Sequence, residues 1–260
     1  MRAFLFRVVI CVIVLGLMAV FAISTGAWPK IVEAVGVAFG HDAAEKVDDF
    51  GQASKDISDQ ISDAYTAAQN GEYTQINYPA IGELLDTLNP LKPGQRIPEY
   101  RRANFGEPWT DTDHNGCDTR NDILARDLTD ITKQGECTVM TGTLADPYTG
   151  TTIAFQRGEK TSAAVQIDHV RSLSDAWSAG AWTWTDERRL EYANDPMVLL
   201  AVDGPTNSSK SDKGPATWMP TNAAYVCQYV SSYVAVSAKY NLAIAEDDRV
   251  AIDRALEGCH

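Results

Sequence analysis

The stretches Ala163-Ala164-Val165-Gln166-Ile167-Asp168-His169 and Leu199-Leu200-Ala201-Val202-Asp203-Gly204, the latter running on through Asn207-Ser208-Ser209-Lys210-Ser211-Asp212, decide the fold. Each apolar run is short, rich in branched side chains and bounded by polar residues, which is the pattern of a buried strand. The first ends on a carboxylate beside an imidazole. The second runs into a turn and an Asn that opens a helix. An unperturbed imidazole titrates near pH ~6.5 and accepts protons at neutral pH. Asp168 alternates to the other side of the strand from His169. Asp168 can therefore hold a hard divalent cation while His169 faces a water molecule, and Asn207 adds a neutral oxygen ligand of the kind such cations accept. Lys210 lies one helical turn beyond Asn207 and is expected to project towards the same bound anion.

The flanking sequence carries further recognisable runs. Trp109, Asp111, Asp113, Asn115, Gly116 and Cys117 form one group, followed by Thr119-Arg120, Arg126-Asp127-Leu128 and Asp146-Pro147-Tyr148-Thr149-Gly150. Others are Asp168-His169-Val170, Leu173-Ser174-Asp175-Ala176-Trp177 and Ala193-Asn194-Asp195-Pro196. From about Tyr100 to Cys259 the chain resembles a family of exported actinobacterial HNH proteins related to the C-terminal nuclease domain of GmrSD-type restriction enzymes. Asn207-x-x-Lys210-Ser211-Asp212 also resembles the HNH domain of RNA-guided nucleases. The resemblance implies a metal-dependent endonuclease acting on DNA, with His169 as general base and Asp168 and Asn207 as ligands of Mg²⁺ or Mn²⁺; with no helix-turn-helix and no basic recognition helix in the sequence, little sequence preference is expected. Phosphodiester hydrolysis of this kind needs an activated water and a cation on the scissile phosphate. Lys210, Arg120 and Arg157 are the candidate phosphate contacts. The sequence departs from the family at Val198, where an Asn that orients the base-bearing loop is usual; nearby Asn194 is the candidate substitute. The alternative is a catalytically degenerate HNH-fold module with a binding or structural role.

The formal charge of −13 opposes nucleic-acid binding, because attraction to phosphate normally supplies most of the affinity. A bound cation and a local basic cluster would have to offset it. Arg2 and Arg7 precede Val8–Pro29, which has no charged residue. A membrane-spanning helix needs about 20 apolar residues, and basic residues upstream place the rest of the chain outside. Residues 1–29 therefore read as a signal anchor in the cell membrane, or as a secretion signal if cleaved. Residues 30–97 read as a helical stalk and linker: Val47, Phe50, Ile57, Ile61, Ala64 and Ala68 keep helical spacing, and Asn89-Pro90-Leu91-Lys92-Pro93-Gly94 breaks it.

Residues 98–260 read as one α+β domain: an HNH (ββα-metal) core with surrounding helices and disulfides. A helix is expected over 121–132, strands over 137–144, 151–157, 165–170 and 197–202, and short helices over 174–181 and 188–193. Closing helices are expected over 222–232 and 247–257. Cys117, Cys137, Cys227 and Cys259 have no close Cys pair of the zinc-site type, so disulfides in an oxidising compartment are expected. Cys117–Cys137 and Cys227–Cys259 close the shortest loops. Asp111-Thr112-Asp113-His114-Asn115-Gly116 has the ligand spacing of a calcium loop, so a structural Ca²⁺ competes there with a simple Asx-turn.

Overall fold

A computed structural model describes residues 76–259. The expected signal anchor (1–29) and the helical stretch from Val47 to Ala68 lie outside the described residues. Among the described residues no helix is long and apolar enough to cross a membrane. The domain is mixed α+β, with two disulfides, Cys117–Cys137 and Cys227–Cys259, paired as expected.

The centre is a two-stranded antiparallel ribbon, β4 (Val165–His169) and β5 (Leu199–Asp203), registered Val165 to Asp203 and His169 to Leu199. Both faces of the ribbon are buried, which explains its near-continuous apolar sequence. Val165, Ile167, Leu199 and Ala201 face one core cluster, while Leu200 and Val202 face another. Alternation along a strand sends successive side chains to opposite faces, so Asp168 and His169 leave the ribbon on different sides.

β5 passes directly into a short helix, α5 (Gly204–Lys210). The Asp203 carboxylate caps it by accepting from Thr206 N at 2.8 Å, and Pro205 pre-sets the first turn. A Cβ at Gly204 would collide with the Ala163 carbonyl oxygen, so glycine is what lets this helix start against the chain entering β4. The strand–strand–helix order read from sequence is therefore present, with Asn207 and Lys210 on the helix.

A second sheet orders β1 (Leu128–Gln134), β2 (Thr138–Ala145) and β3 (Thr152–Gln156) antiparallel. It follows α2 (Thr119–Asp127), which Asp118 caps by accepting from Asn121 N. The helix expected to run to residue 132 stops at Asp127. Leu128 and Thr129 turn into a strand instead, opposite Leu144 and Thr143. The Arg126–Asp127 pair enforces the stop by reaching the open edge of β5. Arg126 donates to Leu199 O at 2.7 Å, and Asp127 Oδ2 accepts from Ala201 N at 2.7 Å. These side chains satisfy backbone groups that a third strand would otherwise have to bond.

Short helices α3 (Leu173–Ser178) and α4 (Asp186–Asn194) pack around Phe105, Trp177 and Tyr192. Helix α6 (Val226–Lys239) extends well past the expected end at residue 232, and α7 (Glu246–Leu256) closes the domain. The Cys227–Cys259 bridge ties the C-terminus onto α6.

Residues 76–97, expected to end a stalk and linker, are part of this domain. Helix α1 (Tyr78–Thr87) buries Ile81, Leu84 and Leu85 in the same cluster as Tyr229, Val230 and Tyr233 of α6. Beyond it, Leu91 N donates to Ile244 O at 2.7 Å, Ile244 N donates to Asn89 O at 2.8 Å, and Arg249 bonds the carbonyls of Leu85 and Leu88. The Pro90–Gly94 breaker is thus a bend inside the domain rather than its edge. A fragment starting at residue 98 would expose this apolar face of α6.

Candidate active-site cleft

His169 is 7% exposed and lies at the end of β4, where Nε2–H donates to the Ala193 carbonyl at 3.0 Å. That bond fixes the tautomer: Nδ1 is left as the acceptor, facing whatever enters beside it. Burial, opposed by the Ala193 carbonyl and reinforced by Arg102 and Lys210, holds the imidazole pKa down at about 3. The ring is therefore neutral in the folded state throughout the physiological range. In the unfolded chain it takes a proton near pH ~6.5. Between these two values the unfolded state binds more protons, so this group's contribution to stability falls as pH drops through that window. Urea unfolding at pH 7 and pH 4.5 checks this: His169→Leu should lose less stability between the two pH values than the parent chain.

Asp168 leaves the other face of the ribbon into a fully polar clamp. Its carboxylate accepts from Tyr148 Oη at 2.6 Å and from Lys210 Nζ at 3.0 Å to Oδ1 and 2.9 Å to Oδ2. Lys210 Nζ also donates to His169 O at 3.0 Å. Burial pushes the Asp168 carboxyl up, and the Lys210 ammonium and the Tyr148 hydroxyl pull it down. Lys210 is 0% exposed. This corrects the expectation that it projects towards a bound phosphate: the helix turns it inward, where it neutralises Asp168.

Asn207 lines the same cleft as Asp168 and His169. Its Nδ2 donates to Gln166 Oε1 at 3.0 Å, and its Oδ1 has no hydrogen-bond partner among the described residues. The cleft, about 580 Å³, is also lined by Arg102 and Arg120. Arg120 holds the Val165 carbonyl at 3.3 Å and is depressed by burial and by Arg157. Arg157 itself leaves the phosphate-binding set, since its guanidinium is committed to Val139 O and Asn121 Oδ1, each at 2.6 Å.

Two contributors were missed. Arg102, on the turn before Phe105, is exposed, has no ion-pair or hydrogen-bond partner among the described residues, and stands at the cleft mouth. A lone Arg in a polar stretch carries no signal in sequence. Tyr148 was visible only as part of a turn motif; its hydroxyl is what holds Asp168.

Asn194 is 1% exposed and donates to Leu190 O at 2.9 Å. It directly follows Ala193, whose carbonyl is the partner of His169. Both residues lie in the last turn of α4, and the Asn194 side chain braces that turn through Leu190 rather than touching the carbonyl; Val198 is fully buried.

Chemically, Asn207 Oδ1 is an open hard-oxygen acceptor. The Asp168 carboxylate is fully engaged, but Lys210 holds both oxygens, and releasing one frees a lone pair without breaking the ion pair. One carboxylate and one amide suit a divalent ion that keeps most of its water, as Mg²⁺ does. Among the described residues, no group of three or more His, Cys, Asp and Glu is placed to hold a metal. The Asp111–Gly116 loop closes on itself, with Asp111 accepting from Asn115 N and Gly116 N and Asp113 accepting from Asn115 N. The Asx-turn suffices to close it without the competing structural Ca²⁺.

Residues 118–254 match the family described as GmrSD restriction endonucleases, C-terminal domain. The chain is also 32% identical, over 190 residues, to a protein of Arthroderma benhamiae described as an uncharacterized secreted protein, covering 72% of this chain and 89% of that one. No solved structure matches the chain.

Proposed function

The chain belongs to the family of GmrSD restriction endonuclease C-terminal domains, and from that membership we propose that it is an exported HNH-type endonuclease. In this reading it hydrolyses DNA phosphodiester bonds with a divalent metal and little sequence preference. The observation that carries the reading is the β4–β5–α5 unit, which brings Asp168, His169 and Asn207 to one cleft.

The Nδ1 of His169 takes the proton of the attacking water, while the Ala193 carbonyl keeps Nε2–H bonded and the ring aligned. A phosphate drawn in beside the ring favours its charged form and raises its basicity towards the ordinary imidazole value. Asp168 and Asn207 are the residues that would hold Mg²⁺ or Mn²⁺, and the ion would neutralise charge developing on the phosphate. Arg102 and Arg120 bind the phosphates on either side and offset the chain's overall negative charge locally. Lys210 and Tyr148 position Asp168 rather than touching substrate.

Because the site is short of charge, binding of the ion is expected to be weak. Conversion of supercoiled plasmid by the full chain should stop in EDTA and return on adding millimolar Mg²⁺ or Mn²⁺. An undiminished rate in EDTA would remove the metal from the account.

The relative's description as secreted supports export of this chain. The N-terminal segment then acts either as a single-pass anchor with the domain outside or as a cleaved signal; the N-terminal sequence of the mature protein separates the two. The saturated Asp168–Lys210 pair favours one second reading, a binding module that has lost catalysis. It predicts plasmid binding without cleavage under every metal.

A further inference from the structure

Beside the cleft lies a second, smaller cavity of about 270 Å³ that shares His169, Arg102, Trp109 and Leu173 with it and continues between Phe105 and Pro108. The charges of the two chambers differ. The arginines stand on the cleft side, Arg120 in the cleft alone and Arg102 on the shared rim. The smaller slot instead carries Glu107, whose carboxylate has no partner among the described residues. Arg102 faces both chambers and Asp212 also lines the cleft, so the contrast is Arg120 in the cleft against Glu107 in the slot, which favours a phosphate on the Arg120 side. The rest of the slot's lining, with Phe105, Pro108, Trp109 and Leu173, is mainly apolar and suits an uncharged, mainly apolar group attached to that phosphate.

The backbone at Trp109 gives a second, independent observation. Its φ is +60°, in the left-handed region that a bulky side chain enters at a cost. Such strain persists where surrounding structure enforces it, and it clusters at ligand clamps. Here Thr119 Oγ1 donates to Thr110 O at 2.6 Å, and the Cys117–Cys137 bridge ties the same loop to the second sheet. The indole is half-buried and stands at the junction of the two chambers.

We propose that this slot is a subsite for one unpaired nucleobase, stacked on Trp109 next to the phosphate at His169, with Glu107 accepting a hydrogen bond from an exocyclic amino group. The proposal rests on the nuclease reading and deepens it by naming the substrate class: single-stranded or locally unpaired nucleic acid. A base inside a duplex cannot enter a slot of this kind without leaving its stack. Stacking on an aromatic ring tolerates every base, whereas a carboxylate acceptor favours cytosine over thymine.

The test uses the full chain in EDTA, so that binding is read without cleavage, by anisotropy of labelled single strands. Stacking contributes about 1–3 kcal/mol per base, which converts to roughly 5- to 150-fold. A decamer of deoxycytidylate should therefore bind at least fivefold tighter than an abasic decamer with the same phosphates. Trp109→Ala should bring that ratio close to one. Ala103→Phe, a change at an exposed position that fills the slot, should do the same if the Trp109 variant folds poorly. Glu107→Ala should remove the preference for deoxycytidylate over thymidylate while keeping the abasic difference. Equal binding of the abasic decamer by the parent chain overturns the subsite, as does a ratio unchanged in both Trp109→Ala and Ala103→Phe. The same strands with Mg²⁺ separate the two claims. Base-dependent binding without cleavage sinks the nuclease reading and keeps the subsite, and cleavage with base-independent binding does the reverse.

Discussion

Lys210→Met is expected to lower unfolding free energy by about 3–5 kcal/mol at neutral pH, the cost of leaving a buried charge without its partner. For a domain of this size the melting temperature should fall on the order of 10 °C. Asp168 is 5% exposed, and among the described residues Lys210 is the cation paired with it. The Tyr148 hydroxyl remains, but one neutral donor does not replace an ammonium. Without Lys210, burial acts on Asp168 unopposed by a positive charge, so its folded-state pKa rises further above the unfolded value. A group with a raised folded pKa is stabilised when protonated, so the deficit of the variant should shrink as pH falls towards the ordinary carboxylate range. The double variant Lys210→Met with Asp168→Asn should recover much of the loss, because both charges then leave together. Thermal denaturation of the three proteins at pH 7 and pH 5 decides it. An unchanged melting temperature in Lys210→Met would mean that the lysine is not the buried partner described.

His169→Ala should reduce plasmid cleavage by about 10²–10⁴-fold, the range supplied by a positioned general base. The ring also fills space beside Leu173 and Ala193, so the variant's fold is checked by its melting temperature. His169→Gln, which keeps the volume but not the basic nitrogen, should lose activity to a similar extent. A loss in the alanine variant alone would point to packing rather than proton transfer. Asn194→Ala acts one step further away. It should slow cleavage with little change in KM, since it braces the last turn of the helix that carries the Ala193 carbonyl.

The central ribbon and its helix were legible because they are locally encoded. Two apolar runs end in polar residues, and Asp203, Pro205 and the Asn207–Lys210 face form a capped helix start within a few residues. The disulfide pairs were legible from loop length and compartment. Strand β1 was not, because Leu128 and Ile131 keep a helical three-residue spacing. They sit as a strand only because Gly142 opposite has no Cβ to meet Leu128 and Ile131. Helix α1 was hidden behind the Pro90–Gly94 breaker, and it is distant partners, Ile244, Arg249 and the apolar face of α6, that turn the chain back into the domain.

The burial of Lys210 is of the same kind. Its partner is 42 residues away, and nothing in the spacing says whether a helical lysine turns towards a phosphate or a carboxylate. Sequence placed His169, Asp168 and Asn207 in one neighbourhood. Of the two cleft cations, Arg120 on α2 was among the candidates, whereas Arg102 comes from a turn brought there by tertiary packing of Phe105 against Trp177 and Tyr192.

The most direct test of the account is conversion of supercoiled plasmid to open-circle and linear forms by the full chain in Mg²⁺, compared with His169→Ala at equal concentration. Metal-dependent nicking is expected from the parent chain, with a rate at least about a hundredfold lower in the variant, in keeping with general-base catalysis. Equal rates for the two proteins, or no nicking by the parent chain under any divalent metal, would contradict it.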